Sequence, residues 1–113
     1  MQAGSLDDAR EKLRQRDYTT ARKIAEMLVG ADGDSVTKAG AHHVIAVVMN
    51  QEGQQAEAVS MLREAISLDG SVAAYRVTLG DLLMKEGDIT AALGEFAAAC
   101  DAEPDFAPGH LQM

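Results

Sequence analysis

Two stretches of this chain carry one skeleton at a fixed offset. The segment from Ala73 to Pro104 overlays the segment from Ala39 to Gly70 at a shift of 34 residues. Leu79 falls on Ile45, Gly80 on Ala46, Leu83 on Met49 and Gly87 on Gly53. Ala92 falls on Ala58, Phe96 on Leu62 and Ala99 on Ala65. A self-similar period of about 20–50 residues marks a stacked-repeat architecture, in which each unit hides its apolar face against its neighbours. Within a unit the apolar positions step by three and four, as on one face of a helix. Gly53 and Gly87 divide each unit, because glycine accepts the left-handed backbone that stops a helix. Each unit therefore reads as two helices.

The helices expected from this pattern run over about 6–16, 18–30, 36–52, 56–68, 72–86 and 89–102. Ser5 is the expected N-cap of the first, with Asp7 and Asp8 complementing the helix dipole. Arg16-Asp17-Tyr18 makes the next turn. Between Ala21 and Ala58 lie 37 residues, three more than one period, and Gly30-Ala31-Asp32-Gly33-Asp34-Ser35 absorbs the excess. That run reads as a connecting loop. A calcium loop needs regularly spaced oxygen ligands and a closing Glu, which this run lacks.

Composition agrees with close-packed helices. Hydrophobic residues make up 47% of the chain, yet aromatics are only 4% and there is no Trp. The apolar content is Ala, Leu, Val, Ile and Met, which suits helices better than a β-sandwich. The formal charge is −8 and uneven. Residues 1–24 hold six Lys/Arg against four acids, and the remainder holds four against fourteen. An acidic body disfavours nucleic acid, whose phosphates need clustered Lys/Arg. The favoured reading is a solvated surface; the rival is a dipolar module meeting opposite charge on a partner or another copy. No apolar run spans a membrane, and the N-terminus lacks a signal pattern, so a cytoplasmic compartment is expected. The single cysteine, Cys100, fits a reducing compartment.

Leu79-Gly80, Leu83, Ala92, Phe96 and Pro104 resemble the tetratricopeptide-repeat pattern of Leu-Gly, large apolar, Ala, Phe and Pro. The resemblance is clear over residues 39–104 and weaker over the first 38, where Asp8-Ala9 replaces Leu-Gly. It implies an all-α fold, a right-handed superhelix of three helical hairpins forming one domain over 1–113. The repeats would span about 2–35, 39–72 and 73–106, with a partial fourth or capping helix over 107–113. The opening of a further repeat leads us to expect a longer parent chain, with a short terminal cap as the alternative. Ala58 and Ala92 would sit at helix crossings, where small side chains let axes approach. Phe96 and Leu62 would fill the space between successive pairs.

The residues hold no catalytic arrangement. There is no Gly-x-Ser-x-Gly turn, no Gly-rich phosphate loop, and no His-x-x-x-His or Cys-x-x-Cys pair. Neither cofactor nor metal is expected. His42 and His43 are adjacent on a helix and diverge by about 100°; His42 reads as packing or surface. Cys100 reads as a small buried residue, and Met27, Met49, Met61 and Met84 mostly as core filling, with exposure in a groove the alternative for Met84.

The resemblance places a binding groove on the first helix of each pair. It assigns Arg10 in the first pair, and His43, Val44, Val47 and Asn50 in the second. The third supplies Val77, Thr78, Asp81 and Met84, with Lys85 at the rim. One subfamily grips a terminal carboxylate with Lys and Asn, but the matching positions here are Leu6, Arg10, Val44, Ala74 and Thr78. An asparagine ladder would need Asn at Val44 and Thr78, and is also absent. The function expected is a non-catalytic scaffold for a protein partner, an extended peptide or helix lying in the groove. The alternatives are an accessory domain of a larger transferase or sulfotransferase, a self-assembling protein, or a small secretion chaperone.

Overall fold

The computed structural model describes residues 5–30 and 33–102. Among them are six α-helices and no strand: α1 (Leu6–Arg14), α2 (Tyr18–Gly30), α3 (Ser35–Gln51), α4 (Gln55–Leu68), α5 (Ala73–Lys85) and α6 (Ile89–Ala102). The expected helix over 107–113 lies outside the described residues.

Local chemistry sets the ends. Ser5 and Asp8 form a reciprocal capping box: the Ser5 hydroxyl accepts from the Asp8 amide, and the Asp8 carboxylate accepts from the Ser5 amide. Asp34 caps α3 by accepting from the Thr37 amide at 2.7 Å, so its carboxylate serves the helix start. The three hairpin corners share one construction. Gly53 and Gly87 stand at φ 83° and 87°, and Arg16 takes the same place at φ 62°. At each corner two amides turn back on the preceding helix, as in Asp17 to the Lys12 carbonyl and Arg16 to that of Leu13. Gln54 to Met49 and Asp88 to Leu83 repeat the longer bond. This is the Schellman closure, whose left-handed residue is usually glycine. It ends α1 at Arg14, two residues before the spacing predicts.

Each helix packs on the next, and α1 also packs on α3. Two apolar clusters result. Ala9, Ala21, Ala25, Ala41, Val44, Ile45 and Val48 bind α1, α2 and α3. Ala39, Ala46, Ala58, Leu62, Ala65, Tyr75, Leu79, Leu82, Leu83 and Ala92 bind α3 to α6. Helix α3 belongs to both, which explains why its sequence is apolar nearly all round. Ala58 and Ala92 are fully buried, as expected of residues at a helix crossing.

Some positions differ from their sequence reading. Phe96 is only partly buried and lies over Gly80 within its own hairpin: a Cβ on Gly80 would stand 2.5 Å from the ring. It also packs against the apolar cluster that α3 to α6 share, to which Leu62 belongs. Met27, read as core filling, is exposed on α2. Cys100 is a free thiol and only partly buried. Among the described residues no helix is long and apolar enough to cross a membrane.

Candidate functional site

The first helices of the pairs lie side by side. Helix α1 packs on α3, and His43 of α3 reaches two residues of α5. Its Nε2 stands 3.2 Å from the Thr78 hydroxyl. Its ring lies 5.0 Å from that of Tyr75, tilted by 37°. The Thr78 hydroxyl donates its one proton to the Ala74 carbonyl at 2.9 Å. It must therefore accept from His43, which assigns the neutral tautomer with the proton on Nε2. Burial pushes the His43 pKa down to about 4, and the nearby Arg10 guanidinium pushes it the same way.

Arg10 crosses from α1 onto this network. Gly40 leaves room for it: a Cβ there would stand 3.3 Å from the Arg10 Nη2 and still closer to Leu6. The guanidinium lies within electrostatic reach of Tyr75, whose hydroxyl is pushed up by burial and held back by Arg10, with Asp69 acting upward. Arg10, Gly40, His43, Tyr75 and Thr78 thus join three hairpins at one level.

Nearer the C-terminal ends of α3 and α5 the same face is mixed. Val47, Asn50 and Val77 are partly buried, while Asp81, Met84 and Lys85 are exposed. Met84 leaves 44% of its surface open. The Lys85 ammonium reaches across to the Asn50 side-chain oxygen at 3.5 Å. Val44 does not line this face. It is fully buried among Ala9, Ala21 and Ile45, so its register position points into the core. His42 turns towards α4, its Nδ1 3.4 Å from the Met61 sulfur.

Tyr75 is the residue that sequence reasoning missed. It replaces the small Ala41 of the preceding unit, and that break in the repeat is the signal that could have found it. Among the described residues no three His, Cys, Asp or Glu side chains gather to hold a metal ion.

A family model for the tetratricopeptide repeat-like domain matches residues 1–113. The chain belongs to this family. Comparison with curated proteins finds no match. Among solved structures, the repeat resembles a mutant O-GlcNAc transferase of Thermobaculum terrenum, with TM-score 0.82 and 24% identity over 93% of this chain. It resembles MamA with TM-score 0.77 and 17% identity over 92% of the chain. It also resembles the Yersinia enterocolitica type III secretion chaperone SycD in complex with a peptide of the translocator YopD, with TM-score 0.75 and 16% identity over 89%. The chain spans 20% of the transferase chain, 59% of MamA and 75% of SycD. At these identities the likeness is one of fold: an all-α superhelix of tetratricopeptide hairpins.

Proposed function

We propose that this tetratricopeptide domain is a non-catalytic interaction module that binds a protein segment along α1, α3 and α5. The observation that carries the reading is the open, mixed strip of Val47, Asn50, Val77, Asp81, Met84 and Lys85 on one face of α3 and α5. Apolar surface beside a few hydrogen-bonding groups suits an extended peptide or a helix, where burial supplies affinity and polar contacts set register. Peptide binding by SycD, on a similar fold, supports the same use of this one. His43 and Thr78 satisfy each other, so they brace the floor of the strip.

The test is selection of a displayed random-peptide library on this chain, followed by titration of a selected peptide. Met84→Glu and the double substitution Asn50→Ala/Asp81→Ala should each weaken it at least about tenfold, the scale of one interface residue. Affinity unchanged by both, in variants that melt normally, rules out this face. A second reading, an accessory domain within a larger enzyme, draws on the likeness to one fifth of a transferase chain. The two readings are compatible, since an accessory domain would use the same face.

A further inference from the structure

Overlaying the hairpins brings out a cross-helix clasp whose chemistry changes from one unit to the next. In the third hairpin Arg76 of α5 and Glu95 of α6 form a partly buried ion pair at 3.3 Å. Shifted back by the 34-residue period, those two positions are His42 of α3 and Met61 of α4. They too meet side chain to side chain, the His42 Nδ1 standing 3.4 Å from the Met61 sulfur. A thioether is a weak hydrogen-bond acceptor, so an N–H···S contact holds its helices less firmly than a charge-assisted bond. What imidazole and thioether share is affinity for soft metal ions, copper above all.

We propose that His42 and Met61, with Glu64 beside them, form a site for a soft monovalent cation of the copper(I) type, which would clasp α3 to α4. Ligand distances of ~2.0 Å to nitrogen and ~2.3 Å to sulfur, combined with the 3.4 Å separation, set the two donors about 100° apart at the ion. That angle leaves room for a third donor. Glu64 lies one helical turn beyond Met61 on α4, near enough to act on the His42 ring electrostatically. Burial holds His42 below the ordinary histidine pKa, so the ring is neutral and able to coordinate at neutral pH. The adjacent His43 does not compete, because its Nε2 is engaged with Thr78. Among the described residues no trio of His, Cys, Asp or Glu gathers, so the set fits a soft ion of low coordination number rather than zinc or calcium. The site faces α4, away from the strip on α3 and α5, and does not depend on that strip binding a peptide.

The probe is silver(I), an air-stable ion of the same class, added as nitrate in chloride-free buffer. The full chain carries Cys100→Ser, because the free thiol of Cys100 would otherwise take the ion first. NMR of labelled methionine methyl groups reads each thioether separately. The Met61 methyl and the His42 ring should shift together and saturate at one equivalent, ahead of the exposed Met27 and Met84. The melting temperature should rise with silver, since the ion binds only the folded arrangement. Met61→Leu and His42→Gln should each weaken binding at least about tenfold, the least that even a supporting residue costs a metal site. Both should also abolish the thermal gain while melting like the parent without silver. His42→Met, which exchanges one soft donor for another, should retain binding. If silver shifts Met27 or Met84 before Met61, or if the Met61 shift keeps full affinity in His42→Gln, there is no such site. If equimolar zinc(II) displaces the silver, the soft-ion assignment fails. If no methionine responds, the contact is a plain hydrogen bond and the proposal is overturned.

Discussion

Arg16 occupies a corner that its two counterparts give to glycine. At φ 62° it holds a left-handed conformation that costs a side-chain-bearing residue roughly 1 kcal/mol. Arg16→Gly should relieve that strain, offset by the greater freedom of glycine in the unfolded chain. The expected outcome is a net gain of no more than about 0.5 kcal/mol, measured as a slightly higher urea midpoint at unchanged slope. A second pair of residues works by volume. The second hairpin packs Leu62 where the third packs Phe96, and Ala46 where the third has Gly80. The larger ring is accommodated by the smaller partner, since a Cβ on Gly80 would sit inside its contact distance. Gly80→Ala should therefore cost about 1–2 kcal/mol even though alanine favours helix. In Gly80→Ala/Phe96→Leu the two costs should not add: the double variant should be about 1 kcal/mol more stable than their sum, read from a double-mutant cycle. The matching residues could be read by overlaying the units. That the small one lies beneath the ring required the packed hairpin.

At the level of the helices, capping is uneven. Asp17 accepts from the Thr20 amide at 3.3 Å and Asp88 from the Ala91 amide at 3.2 Å. Gln54, at the same place before α4, makes no side-chain cap. Its longer side chain is a poor mimic of the carbonyl that a first-turn amide would otherwise find. Gln54→Asp should stabilise the chain by about 0.5–1 kcal/mol and slow hydrogen exchange in the first turn of α4. Helix existence and pairing were legible from spacing alone, because buried faces repeat at fixed steps. Less legible was the end of α1, since no glycine marks Arg16. The groove assignment shows the limit of register reasoning. Val44 is one residue from His43 and about 100° around the helix, enough to carry it from the open face into the core.

For the whole molecule, the three-hairpin floor makes stability depend on pH. In the unfolded chain His43 takes up a proton near its ordinary pKa of 6.5; in the folded chain burial delays this to about 4. Between those values the unfolded state binds more protons, so stability falls as pH drops from 6.5 towards 4 and is flat above it. His42 is also lowered by burial, with Glu64 opposing, and adds in the same direction. The His43 contribution is of order 3 kcal/mol at full extent. His43→Gln should flatten this acid limb in a series of urea titrations between about pH 4 and 7. Persistence of the full slope in that variant would place the dependence elsewhere.

The 34-residue period, the glycine stops and the alanine-rich stripes were enough to determine helical hairpins that stack, because repeat packing is set by local spacing and nearest neighbours. They did not determine which side chains on α1, α3 and α5 meet. The contact of His43 with Tyr75 and Thr78, and the seat of Arg10 over Gly40, join residues about 30 or more apart in the chain. Those distances depend on how one hairpin rotates against the next, and that rotation exists only once the core has closed.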